Sequence, residues 1–210
     1  MSPMPSRSET PLLIAGLGNP GAEYARNRHN AGFMAVDTIH ASYDFGPWRS
    51  RFQGMISEGT LGRRKTYLLK PLTYMNESGI SVGAAMRFFK LPLEAIVAMH
   101  DEIDLAAGKL KVKTGGGDAG NNGARAITAA IGPDYRRVRI GIGHPGEKHR
   151  VHGHVLGNFS KADEEWLVPM LSAIAEAAPL LAQDDDTGFM NKVAVMLKPP
   201  AKNPKPSKAD

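Results

Sequence analysis

The chain has 210 residues, 42% of them hydrophobic and 22% charged, and no cysteine. That length suits one domain, and the composition argues against a disordered chain. The missing thiols exclude a disulfide framework, a thiolate nucleophile and Cys-ligated zinc or iron–sulfur centres. The net charge of +5 is uneven: residues 1–160 carry a balance of +7, residues 161–197 one of −5 and residues 198–210 one of +3. A positive excess suits an anionic partner such as nucleic acid, although a balance of this size is also that of an ordinary basic surface. No apolar run approaches the roughly 18 residues that span a bilayer. Leu12–Leu17 is too short for a signal-peptide core. The expectation is a soluble, cytoplasmic protein with no membrane partner.

The ends, residues 1–10 and the Lys/Pro-rich 198–210, are expected to be disordered around a single domain at 11–197. Pro11–Leu17 (PLLIAGL) reads as a buried strand running into the turn Gly-Asn-Pro-Gly. Ala31–Tyr43 reads as a helix. Arg51–Glu58 and Lys65–Lys70 read as a strand pair across a loop at Gly59–Arg64. Glu77–Lys90 is helical, with Asn76 placed to cap it. Ile96–His100 is apolar enough for an interior strand, and Lys109–Lys113 (KLKVK) alternates strictly, so one of its faces should be wet. Asn122–Ile131 is a short helix after a Gly-rich turn, and Arg137–Ile142 (RVRIGI) is another alternating strand. Lys161–Gln183 is helical, with Pro169 and Pro179 as kinks or breaks. Asp184–Asp186 gives a negative N-terminus to a last helix through about Met196. Strands alternating with helices predict one α/β domain.

Several stretches carry chemistry. Gly16-Leu-Gly18-Asn19-Pro20-Gly21 is literally G-x-G-x-x-G after a strand, with Asp37 downstream, the pattern of a dinucleotide site. That pattern needs a helix starting inside the glycines, whereas Pro20 and the polar run Glu23–Asn30 delay helical periodicity to Ala31. A strand-end loop holding Asn19 at the carboxyl edge of a sheet fits better. His29, among basic and amide residues just beyond that loop, suits general-base work because its ordinary pKa lies near 6.5. Met75-Asn76 brings a second amide to a strand-to-helix junction. Asp101 ends the most apolar strand, where a carboxylate either bonds loop amides or orients an imidazole. Lys113 to Gly123 holds five glycines within nine residues, allowing close approach of a bulky ligand, and the helix after it presents free N–H groups to an anion. It lacks the Lys-Ser/Thr of a P-loop, and Asn121 and Asn122 there are caps or ligands. His144, His149, His152 and His154 with Glu147 could bind a metal, but a Gly-rich loop is a poor ligand frame, so no metal and no cofactor is expected.

Taken in order, GLGNPGAEYARNRHNAG, KPLTYMNESG, HDEIDL, GGGDAGNNG, RVRIGIGHPG and HVLGNFS resemble the bacterial-type peptidyl-tRNA hydrolase family from residue 12 to about 160. The resemblance implies a single α/β domain with a twisted mixed sheet flanked by helices. It implies hydrolysis of the ester joining a peptide to the 3′ end of tRNA, with the peptidyl-tRNA acceptor end as partner and a monomeric enzyme. Carried over by position, His29 would be the general base for water, Asp101 would orient it, and Asn19 would distinguish N-blocked esters. Tyr24, Tyr74, Asn76 and Asn122 would contact the substrate or tRNA end, with Met75, Asn121, Lys113 and Arg125 in support. The family usually has His before the Asn that opens the third helix, where this chain has Asn121. An amide there cannot titrate near neutrality. The competing readings are a non-catalytic RNA-binding relative using the same groove, and a dinucleotide enzyme indifferent to tRNA.

Overall fold

The computed structural model describes residues 10–198. The end segments expected to be disordered thus lie almost wholly outside the described residues. A seven-stranded sheet in the order β2-β3-β4-β1-β5-β7-β6 forms the middle layer. Strands β4 (Arg64–Pro71), β1 (Leu12–Gly16), β5 (Ile96–Glu102) and β7 (Arg136–Gly141) run parallel. The outer strands β3 (Gly54–Leu61), β2 (Arg49–Arg51) and β6 (Leu110–Thr114) are antiparallel. The sheet is mixed, as expected.

Every residue of β1 is buried, because both faces of the sheet are covered. Leu12 and Ile14 point into one core with α1 (Ala31–Ser42), α5 (Glu164–Ala182) and α6 (Asp186–Met196). Leu13 and Ala15 point into the other, beneath α2 (Ser78–Phe88) and α3 (Asn122–Ile131). From β1 the chain goes through α1 to build β2–β4 on one side, then crosses through α2 to β5 on the other. The carboxyl edge beside β1 is therefore the point where strand order reverses, the place where open α/β sheets form their crevice.

The structure corrects several local expectations. The loop expected at Gly59–Arg64 is only the two-residue turn Gly62–Arg63, and β3 runs through Gly59 to Leu61, paired with Arg64. The strand expected from Arg51 is broken by a turn at Phe52 and Gln53, both with positive φ. No Gly or Asn marks that turn; Phe52 is held there by packing against Phe88 and Phe89. Asn76 does not cap α2: it sits exposed within a 3-10 turn, Met75–Glu77, that leads into the helix. Pro169 and Pro179 lie inside an unbroken α5. Burial of Leu167, Met170, Ile174, Leu181 and five alanines along that helix outweighs the roughly 3 kcal/mol that an internal Pro costs. By length and composition α5 is long and apolar enough to cross a bilayer, which a search for uninterrupted apolar runs overlooks; half of that window is buried here, packed on α1 and α6. The segment around His144–His154 is not a plain loop but holds a 3-10 turn, Lys148–Arg150, and a short helix α4, Val151–Val155.

Candidate active site

Four of the residues singled out from the sequence, His29, Asp101, Asn121 and Asn122, converge at the carboxyl edge of the parallel strands. Asp101 stands near the end of β5, buried, on the face covered by α1. His29 lies in a 3-10 turn, Arg28–Asn30, that runs directly into α1. The turn reaches the sheet because α1 begins with almost no clearance: a Cβ at Gly32 would meet Met99 O at 2.1 Å and Leu17 N at 2.4 Å. His29 Nδ1 is 2.8 Å from Asp101 Oδ1 and 2.9 Å from Oδ2. A carboxylate only accepts, so Nδ1 carries a proton, and in the neutral ring the lone pair lies on Nε2. The loop that carries His29 is fastened from behind by Arg28 N–H to Gly157 O at 3.0 Å and by Asn27 Nδ2 to Asn158 Oδ1 at 2.8 Å.

A second group of amides lies beyond β1 and β4. Asn19 Oδ1 accepts from the Met75 backbone N–H at 2.8 Å, which leaves Nδ2 as its outward donor. Asn30 fixes Asn19 from the other side: its Oδ1 accepts from Asn19 N–H and its Nδ2 donates to Asn19 O, both at 2.9 Å. Asn30 was not among the sequence candidates. At the N-cap position of α1 it looks like a cap, yet its side chain makes no capping bond.

Asn121 is buried at the start of α3. Its Oδ1 accepts from Gly123 N–H and Ala124 N–H, each at 3.0 Å, and its Nδ2 donates to Asp101 Oδ1 at 3.0 Å and to Asp101 O at 3.2 Å. The N–H groups expected to be free for an anion are thus satisfied by Asn121. The Gly-rich loop before it also has an internal occupant. Arg137, buried in β7, donates to Gly117 O at 3.1 Å and Gly116 O at 2.9 Å and also to Gly115 O, and it pairs with Asp118 at 3.3 Å. The loop's freedom serves a buried guanidinium as well as any ligand.

A cleft of about 440 Å³ opens between these elements and α4. His29, Asp101, Glu102, Asn121 and Asn122 line one side, and His144, Lys148, Val151, His152 and Val155 the other. No residue of the second wall was among the candidate site residues; its signals in the sequence are the density of histidines and the basic Lys148 among them. Glu102 is held by Arg139 Nε at 2.8 Å. His100 is buried on the opposite face of β5, donates from Nδ1 to Asp101 O at 2.7 Å, and is pushed below the ordinary histidine range by burial, against the pull of Asp101.

The other candidates are not brought into this cleft. Tyr24 is half-buried in a 3-10 turn, Ala22–Tyr24, and Tyr74 is 60% exposed; neither stacks on another ring among the described residues. Asn76 and Arg125 are exposed, and Met75 is buried, its sulfur against Gly123. Lys113 pairs with Arg137, three register positions from the Ile140 level of Asp101 toward the far edge, about 10 Å along the strand. Among the His144–His154 group, His149 pairs with Glu147 at 3.4 Å and His154 Nε2 donates to Ile142 O at 3.2 Å. No three metal-binding side chains converge among the described residues.

The comparisons with known proteins agree with the motif order. Residues 13–203 match the family model described as peptidyl-tRNA hydrolase. The peptidyl-tRNA hydrolase of Parvibaculum lavamentivorans is 58% identical over 201 residues, covering 95% of this chain and 98% of that protein. That of Granulibacter bethesdensis is 60% identical over 186 residues, covering 88% and 96%. A crystal structure of peptidyl-tRNA hydrolase from Acinetobacter baumannii superposes with a TM-score of 0.83 at 41% identity, covering 88% of this chain and 95% of that one. With a family model spanning most of its length and relatives of this identity, the chain belongs to the peptidyl-tRNA hydrolase family.

Proposed function

We propose that this chain hydrolyses the ester between a peptide and the 3′ end of tRNA, with water as nucleophile and His29 as general base. The observation that carries this reading is the bond from His29 Nδ1 to both oxygens of Asp101 at 2.8 and 2.9 Å, on the wall of the cleft. It leaves Nε2 to take a proton from water as the water attacks the ester carbonyl. Asp101 stabilises the imidazolium, which then protonates the departing ribose oxygen. A positioned base contributes on the order of 10²–10⁴ in rate. Asn19 Nδ2 and the Asn122 amide are the donors we assign to the substrate near the ester, and exposed Asn76, outside the cleft, would meet a more distant part of it; an ester's good leaving group removes the need for a metal or covalent step. Tyr24, Tyr74, Lys113 and Arg125 lie outside the cleft and would meet the acceptor end of the RNA. A binding module without catalysis would have no use for a buried carboxylate–imidazole pair on the wall of its groove. We take the working form to be a cytoplasmic monomer.

The test compares N-acetyl-aminoacyl-tRNA with unblocked aminoacyl-tRNA, with His29→Ala alongside. The expected result is cleavage of the blocked ester alone and loss of at least 100-fold in kcat for the variant, on the scale of base catalysis. Equal cleavage of both substrates would overturn the specificity, and full activity in His29→Ala would overturn the mechanism.

A further inference from the structure

We propose that Asn121 is a positioning residue for the His29–Asp101 pair: its carboxamide ties the Asp101 carboxylate to the first turn of α3, and does so at every pH because an amide does not titrate. The inference rests on the role assigned above to His29 and Asp101.

All four hydrogen-bonding positions of the side chain are in use. Oδ1 caps α3 through Gly123 and Ala124, while Nδ2 reaches both the side chain and the main chain of Asp101. The orientation is fixed by chemistry: turned over, the amide would point N–H groups at two N–H donors and an oxygen at a carboxylate. Capping alone does not require this residue, since Asp and Ser cap as well as Asn. Of those three, only Asn has an acceptor for the helix and a separate donor for the carboxylate. The imidazole alone contacts both carboxylate oxygens almost equally, so it does not decide which oxygen leads. Asn121 adds its donor to Oδ1 and to the backbone oxygen of the same residue, which holds the carboxylate plane and with it the ring of His29. The titratable groups around the pair are His100 and Glu102 on β5, the latter neutralised by Arg139, and His144, Lys148 and His152 across the cleft.

The experiment separates the two uses of the side chain. Asn121→Asp keeps the cap, removes the donor and sets a second carboxylate against Asp101. Asn121→Ser keeps a cap and removes the donor without adding charge. The thermal midpoint of Asn121→Ser should stay within a few degrees of the parent, while Asn121→Asp should fall further because its carboxylate repels the buried Asp101. In Asn121→Asp, kcat at pH 7 should fall by about tenfold or more with KM within about threefold, and the acid limb of the kcat profile should rise by about one pH unit. Asn121→Ser should lose kcat without that rise. Unchanged kcat in both variants reduces Asn121 to a helix cap and overturns the proposal. If Asn121→Asp does not fold, Asn121→Ser alone decides, by the same criterion. If the parent chain does not cleave blocked aminoacyl-tRNA, the proposed function fails, and this inference is then read from the ¹⁵N NMR titration of His29. An upward shift of its midpoint in Asn121→Asp supports the positioning role, and an unchanged midpoint overturns it.

Discussion

Replacing Gly32 with Ala tests whether the close seat of α1 is what brings His29 to Asp101. The added Cβ would stand 2.1 Å from Met99 O, 2.4 Å from Leu17 N and 2.7 Å from Leu17 O. All three are backbone atoms of the adjoining strand ends, and they are knit together by Leu17 N–H to Met99 O at 2.9 Å and Phe33 N–H to Leu17 O at 3.2 Å. No side chain can swing aside, so the first turn of α1 has to lift. A carbon reaches ordinary contact with oxygen near 3.5 Å, which from 2.1 Å at Met99 O sets the lift at roughly 1.4 Å. His29 is three residues upstream, and a displacement of that size takes its 2.8 Å bond to Asp101 out of range. A misplacement of about 1 Å costs on the order of 100-fold in rate. Overpacking costs about 1–3 kcal/mol, offset by the 0.5–1 kcal/mol that Ala gains over Gly in a helix.

The assay is kcat/KM on N-acetyl-aminoacyl-tRNA together with the thermal midpoint. Gly83→Ala in α2 is the control, because its Cβ would meet only the far end of Arg87 at 3.1 Å and Ile131 at 3.5 Å. The expected outcome is a loss of about 100-fold for Gly32→Ala and a neutral or slightly stabilised, fully active Gly83→Ala. Wild-type activity in Gly32→Ala would refute the reasoning, since it would mean that the helix start does not set the position of the base.

Asp101→Asn should lower kcat by about 10²–10⁴ with KM nearly unchanged, because the amide offers His29 the wrong hydrogen-bonding pattern and loses the stabilised imidazolium; single-turnover rates check it. Arg137→Met should cost about 2–4 kcal/mol in urea unfolding, because it strips the donor from three glycine carbonyls and from Asp118, and a loss below about 1 kcal/mol would contradict the role given to that guanidinium. His100 is held below its ordinary value of 6.5 by burial, so the unfolded chain binds the proton more readily than the folded one. Its contribution is therefore complete above about pH 6.5 and is lost as pH falls toward the folded value, at up to about 1.4 kcal/mol per pH unit. Thermal midpoints from pH 7.5 to 5 should fall less steeply in His100→Gln than in the parent.

The parts of this fold that announce themselves in sequence are those whose signal is local. The apolar run of β5 declares a buried strand whatever surrounds it, and the carboxylate that ends it is conspicuous for the same reason. The bounds of α3 follow from Asn121 before it and Gly132 after it. What was misread depends on partners far along the chain. The Phe52–Gln53 turn is stabilised by rings on α2, not by turn residues of its own. Arg137 sits in a strand whose alternation looks like a wet face, and only the glycine carbonyls some 20 residues earlier make its burial tolerable. The site has the same character: its hydrogen bonds join residues 11, 20, 56 and 72 positions apart. Sequence supplies the amides and the imidazole, but the choice of which amide bonds which partner is made by packing.

Charge shows the same limit and changes the picture of the groove. Arg26 and Arg28 belong to the stretch of balance +7, which suits an anionic partner, and the segment 161–197 carries −5. In the fold the two meet: Arg26 pairs with Glu164 at 3.0 Å and Arg28 with Asp163 at 2.8 Å. Asp163 is held below the usual carboxylate range: burial alone would raise it, but bonds from Ser160 and Trp166 and the charge of Arg28 prevail. Both arginines fasten the His29 loop to the start of α5, and Arg28, largely buried in its pair, has little positive charge left for an anion, whereas Arg26 pairs at the surface and stays accessible. Lys148 on the cleft wall, with Lys113 and Arg125 outside it, forms no ion pair among the described residues. An anion approaching the cleft would therefore meet Lys148 on the α4 wall, opposite His29, so on the proposed function the cation facing the substrate's phosphates and the general base stand on separate elements.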